Sequence, residues 1–82
     1  MAKSFHLTIA KVGENLFDGE ATSVSLPGSE GVFQVLASHE ACVSELARGE
    51  IRVRGADDTD HRFEILKTGI AEVSHNQVTV LL

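Results

Sequence analysis

Period-two alternation runs through most of this chain, and it constrains the fold more than any other feature. Phe5, Leu7 and Ile9 alternate with His6, Thr8 and Ala10. Thr22, Val24 and Leu26 alternate with Ala21, Ser23 and Ser25. The same rhythm returns in Ile51 and Val53, in Phe63 and Ile65, and in Val78, Val80 and Leu82. Successive side chains of an extended chain point to opposite faces, so each segment reads as a half-buried strand. Turn-forming clusters separate the segments: Gly13-Glu14-Asn15, Asp18-Gly19, Pro27-Gly28-Ser29-Glu30-Gly31, Arg48-Gly49, Gly55-Ala56-Asp57-Asp58 and Ser74-His75-Asn76. Short strands broken at this interval predict an all-β sandwich or barrel. Residues 40–48 fit two descriptions. Val43 and Leu46 fall at helical spacing with Gly49 as a possible end cap, which predicts a short helical turn. The alternative is a short strand before Ile51.

The chain has 82 residues, enough for one domain, and no internal repeat or linker divides residues 1–82. A domain this small buries roughly 60–65% of the surface its unfolded chain exposes, so its core is thin. Four Phe and no Trp or Tyr leave Val, Ile and Leu to fill that core. Their branched shapes suit a pleated sheet.

The charge excludes several partners. Seven basic against twelve acidic residues give −5. That sign repels nucleic-acid phosphates and anionic lipid headgroups. The single cysteine, Cys42, forms no internal disulfide, which fits a reducing compartment. No apolar run nears the roughly 20 residues that span a bilayer, and residues 1–4 lead straight into alternation without a signal-peptide core. Direct membrane insertion is therefore not expected.

Every motif with chemical potential has a plainer reading. Pro27-Gly28-Ser29-Glu30-Gly31 could cradle a phosphate, but a strand-like run follows it and Glu30 would repel the anion. It reads as a tight turn. Ser38-His39-Glu40 has the residue types of a hydrolytic triad, but consecutive strand residues face alternate sides and no nucleophile elbow is present. His39 and Cys42 could share a helical face, yet structural zinc needs four ligands and the other histidines are scattered. Cys42 reads as a small apolar core residue. Asp57, Asp58 and Asp60 lack the glycine and the distal acid of a calcium loop. Arg52 and Arg54 share a face, where pairing with Glu64 or another acid is expected. No catalytic residue, cofactor, metal or small-molecule substrate is predicted.

Read in order, several segments resemble a known family. They are Phe5-His6-Leu7 with Leu16-Phe17-Asp18-Gly19, then the Pro27 to Gly31 cluster followed by His39. Gly49-Glu50-Ile51-Arg52-Val53, Gly69-Ile70-Ala71-Glu72-Val73 and Asn76-Gln77-Val78-Thr79-Val80 complete the set. Their order and spacing are similar to the N-terminal domain of the epsilon subunit of rotary ATP synthases, called delta in mitochondria. The resemblance runs from Phe5 to Leu82. It implies a flattened sandwich of about ten short, mainly antiparallel strands. It implies a non-catalytic central-stalk subunit that joins the gamma subunit to the membrane c-ring and couples proton or sodium flow to ATP synthesis. The site would be the cytoplasmic side of an energy-transducing, bacterial-type membrane. By the same resemblance, Gly28, Ser29, Glu30, Gly31 and Val32 face the c-ring, while Lys11 and His39 face gamma.

Two departures stand out. Family members read Leu-Pro-Gly-His-x-Pro where this chain has Leu36-Ala37-Ser38-His39-Glu40-Ala41. The sequence also ends after Val78-Thr79-Val80, without the family's C-terminal two-helix domain, so neither ATP binding nor inhibition by those helices is expected. The altered loop keeps a second reading open, a free-standing β-sandwich that binds proteins outside any ATP synthase.

Overall fold

The alternation is realised as eight strands with no helix in the computed structural model, which describes residues 3–82. In chain order they are β1 (Phe5–Lys11), β2 (Glu14–Gly28), β3 (Gly31–Leu36), β4 (Cys42–Leu46), β5 (Gly49–Gly55), β6 (Asp60–Ile65), β7 (Gly69–Ser74) and β8 (Gln77–Leu81). One layer runs β1-β8-β7-β4, and the other is β3-β2-β5-β6. All pairings are antiparallel except β1 with β8.

β2 joins the layers. Its 15 residues would span about 50 Å if straight. The longest dimension of the domain is only 35 Å, so β2 must bend. The register shifts between Ala21 and Ser23, which is the signature of a bulge. Before the bend, β2 pairs with β1 from Lys11↔Glu14 to Phe5↔Ala21. After it, β2 pairs with β3 on one edge and β5 on the other. There are eight strands rather than about ten, and the bend accounts for one of the difference, since one continuous strand serves both layers. It also breaks the alternation read from sequence. Ala21 and Val24 are both fully buried, while Thr22 is only half-buried.

The helical reading of residues 40–48 is not realised. Cys42–Leu46 forms β4 and pairs along β7, from Cys42↔Val73 to Leu46↔Gly69. A helix of this length is marginal in water, and forming it would leave one edge of β7 unpaired. Tertiary pairing therefore overrides local propensity.

The core lies between the layers. Phe5, Leu7 and Ile9 enter it from β1, Ile51 and Val53 from β5, and Val78 and Val80 from β8. Leu46 is buried where β4, β7 and the end of β2 meet, opposite both Gly28 and Gly69. No polar or charged residue is buried among the described residues. Cys42 is half-buried against this core. Phe17 packs edge-on to Phe63 at 6.2 Å, sealing the gap between β2 and β6.

Leu46→Ala tests the joint. It removes a buried side chain at the meeting of three strands and is expected to cost about 3 kcal/mol, within the usual 2–5. Urea denaturation measures it. A loss below about 1 kcal/mol would mean that the joint relaxes freely and Leu46 does not hold the layers together.

Candidate docking surfaces

The β2–β3 connection is a tight hairpin whose two-residue tip is Ser29 and Glu30, both exposed. Gly31 has φ 135°, where glycine is favoured. Gly28 is required for a different reason. A Cβ there would meet the Gly31 carbonyl oxygen at 2.8 Å and the Phe33 ring at 2.9 Å. The hairpin is tied to β4 by two backbone hydrogen bonds. Ser29 N–H donates to the Glu45 carbonyl at 2.9 Å, and Ala47 N–H donates to the Pro27 carbonyl at 2.8 Å. Thus Gly28, Ser29, Glu30, Gly31 and Val32 form one stiff projection. Val32 is 75% exposed, an apolar side chain with no partner among the described residues to cover it.

Lys11 ends β1 and pairs with Glu14 at 3.4 Å across the hairpin. Adjacent rungs of the ladders connect Lys11 to the projection: Ala10 to Leu81, Leu81 to Ile70, Gly69 to Leu46, and Leu46 to Gly28. Lys11 and the turn therefore share one end of the sandwich. His39 does not join them. It lies in the loop between β3 and β4, beside Phe5, Ser74 and Asn76, at the opposite end. Lys11 and His39 are separated by the length of β1, about 20 Å.

The loop at residues 37–41 has a glycine-type backbone without a glycine. Ser38 has φ 70°, in the left-handed region. His39 N–H donates to the Leu36 carbonyl at 3.2 Å, closing the turn. His39 Nδ1–H donates to the Glu40 carbonyl at 2.8 Å, which fixes the ring. Ser38, His39 and Glu40 are thus turn residues rather than the strand residues their setting suggests, and the His39 ring is engaged by a backbone carbonyl rather than by Ser38.

The other sequence candidates fall in separate places. Cys42 is in β4, within a segment with no helical face for it to share with His39. Asp57 accepts from the Thr59 hydroxyl at 2.6 Å and from its N–H at 3.3 Å. Those bonds, hydroxyl first, hold the Asp57 carboxyl below its ordinary value. The loop at residues 56–59 is a self-bonded hairpin turn. Arg54 pairs across strands with Asp60 at 2.7 Å, as expected for an acid partner. Arg52 differs. It bonds Glu50 on its own strand at 2.7 Å and lies opposite Arg62, while Glu64 lies opposite Glu50. Among the described residues no group of three His, Cys, Asp or Glu is placed to hold a metal ion. Among the described residues no helix is long and apolar enough to cross a membrane.

Sequence reasoning passed over one cluster. His6 faces Asp18 through Nε2 at 2.6 Å and Glu20 through Nδ1 at 3.3 Å, and Ser4 also bonds Glu20 at 2.9 Å. Both ring nitrogens point at carboxylates, so the protonated ring can donate twice. The Asp18 hydrogen bond is the main cause of a His6 pKa raised above 6.5, opposed by desolvation and aided by Glu20. Only the β1–β2 register, His6↔Glu20 and Thr8↔Asp18, brings these residues together.

Comparison with known proteins places the chain. A family model for the β-sandwich domain of the ATP synthase delta/epsilon chain matches residues 4–82. The chain belongs to this family. An ATP synthase epsilon chain of Chlorobium limicola is 35% identical over 79 residues, covering 96% of this chain and 89% of the relative. One from Herminiimonas arsenicoxydans is 32% identical over 81 residues, covering 99% of this chain but 58% of its own length. The chain thus spans less than two thirds of that longer epsilon chain. Among solved structures, a chain of the Euglena gracilis mitochondrial ATP synthase superposes with TM-score 0.87 at 25% identity, covering 95% of this chain and 49% of that one. A chain from the Tetrahymena thermophila central stalk and c-ring superposes with TM-score 0.77 at 15% identity, covering 98% and 63%, and shares the fold. The family's β-sandwich domain accounts for the two-layer architecture of this chain.

Two measurements check the local geometry. Ser38→Gly removes left-handed strain of about 1–2 kcal/mol and adds unfolded-state entropy worth about 0.5–1. A net gain of about 0.5–1 kcal/mol in urea is expected, and no gain would contradict a strained loop. His6 should stabilise the fold fully below its ordinary value of 6.5 and lose that contribution as pH rises through its higher folded value. His6→Gln should flatten this part of the stability profile above pH 6.5. An unchanged slope would show that the cluster does not bind a proton on folding.

Proposed function

We propose that this chain is a rotor subunit in the central stalk of a rotary ATP synthase. It joins the gamma subunit to the c-ring and transmits torque through contact surfaces, coupling proton or sodium transport to ATP synthesis. It performs no chemistry itself and works at the cytoplasmic side of a bacterial-type energy-transducing membrane, held there through the complex. The observation that carries this reading is the family match along residues 4–82.

The turn at residues 28–32 is assigned to the c-ring and Lys11 with His39 to gamma. A stiff projection tied to β4 suits a torque-bearing contact, since little ordering is needed on docking. Glu30 at its tip offers a charge to basic loops, which gives register more than affinity. Lys11 and His39 lie at opposite ends, so one partner touching both must run along the sandwich for about 20 Å, the length of a helix of about 14 residues. A standard interface takes about 800 Å² from each partner. The chain exposes 5303 Å², enough for two such surfaces. The free-standing alternative drew on the altered residues 37–41. Ser38 at φ 70° gives that loop the backbone of a glycine turn, so the substitution does not favour a separate function.

Pull-down of the folded chain with its cognate gamma subunit is expected to recover a stable complex. Failure to bind would overturn the assignment. Glu30→Lys should weaken c-ring attachment about 2- to 10-fold, with an unchanged thermal midpoint. Wild-type attachment by the variant would remove Glu30 from the contact.

A further inference from the structure

The outer face of the β3-β2-β5-β6 layer carries a feature that the rotor reading does not use. Gln34 lies opposite Ser25, Ser25 opposite Arg52, and Arg52 opposite Arg62. These four residues, one per strand, form a row that offers hydrogen-bond donors from end to end. They line a shallow concavity of about 530 Å³, together with Ser23 and Arg54. Arg52, Arg54 and Arg62 are three of the four arginines in a chain of net charge −5.

Like charges directly opposite each other on a sheet destabilise it. Arg54 is neutralised by Asp60, and Arg52 uses its Nε on Glu50. Arg62 forms no ion pair among the described residues. Glu50 registers both guanidiniums. Its carboxyl is held below its ordinary value first by the Arg52 hydrogen bond, against desolvation, and also by the Arg52 and Arg62 charges. The outer N–H groups of Arg52 and the whole fork of Arg62 remain free for an acceptor.

The surroundings define that acceptor. Glu50 and Glu64 flank the arginine pair on one side and Asp60 on the other. A polyanion lying along the face would meet these carboxylates, whereas a single compact carboxylate between Arg52 and Arg62 would not. Leu36, 52% exposed on β3, lies on the same face in the next row, opposite Ser23 and two residues along from Gln34, and β3 stands three strand spacings from β6, about 14 Å. A free ion would gain nothing from Leu36 and would stay hydrated over two exposed guanidiniums. A protein segment engages both ends.

The geometry points to a docking site for a partner protein segment that carries a single acidic residue, in which its Asp or Glu carboxylate is clamped between Arg52 and Arg62 while an apolar side chain covers Leu36. Ser25 and Gln34 donate to the segment's backbone carbonyls between those anchors. The site is on a broad face of the sandwich, and it stands or falls independently of the rotor assignment.

The test uses the isotopically labelled chain and a capped peptide with leucine and glutamate four positions apart, which spans about 14 Å when extended. Titration should shift the Arg52 and Arg62 side-chain N–H signals and the Gln34 and Leu36 amides together, saturably. Replacing the peptide glutamate by glutamine, or making Arg62→Gln in the protein, should weaken binding at least about tenfold. Arg62→Glu should reverse the preference toward a lysine-bearing peptide, and the amide spectrum verifies that each variant folds. Three results would overturn the proposal: no saturable shift, equal binding by the glutamine peptide, or inorganic phosphate matching the peptide at equal concentration. The last would mark a free-anion site instead.

Discussion

The bend in β2 is the constraint on which the rest of the structure depends. One strand of 15 residues cannot run straight through a body 35 Å long, so it turns at Ala21 and supplies both layers. Its first half holds β1, and through β1 the parallel partner β8. Its second half holds β3 and β5, and its last residue touches β4. The bulge is a local irregularity with a global effect. It reverses which side chains point inward, so that Ala21 and Val24 both reach the core.

The surfaces available for docking follow from that path. The end of β2 becomes the turn at residues 28–32, and β4 braces it through main-chain hydrogen bonds rather than side chains. Main-chain bracing leaves Ser29 and Glu30 free to face a partner. The charged groups elsewhere sit mostly in exposed pairs, which contribute little stability each. Their arrangement bears on recognition more than on folding. Opposed arginines on β5 and β6, and a histidine held between two carboxylates on β1 and β2, are placed by strand register.

The loop at residues 36–41 shows how flanking strands can impose a left-handed backbone on a residue other than glycine. Ser38 adopts that backbone with φ 70°. The flanking strands determine where the loop begins and ends. Leu36 is held by β2, and Cys42 is held by β7. The chain between them takes the conformation that closes the gap, and Ser38 bears the strain.

The alternation of Phe5, Leu7 and Ile9, of Ile51 and Val53, and of Val78 and Val80 was enough to determine an all-β domain and most of its core. Those residues lie on straight strands, where facing is a local property with period two. The glycines of the Pro27 to Gly31 cluster were legible as a turn for the same local reason. What sequence could not decide were the places where one strand meets another. Residues 40–48 satisfied helix and strand patterns equally, and only the open edge of β7 chose between them. Arg52 was expected to pair across strands with an acid such as Glu64, but it bonds Glu50 on its own strand and faces Arg62, because pairing depends on register and not on spacing along the chain. Lys11 and His39 came to opposite ends for a similar reason, since the ladders set which residues share an end. The sequence by itself determined which residues turn inward along a straight strand. The tertiary structure decided where the strands bend, which edges pair and which charges meet, because those are set by hydrogen bonds between segments far apart in the chain.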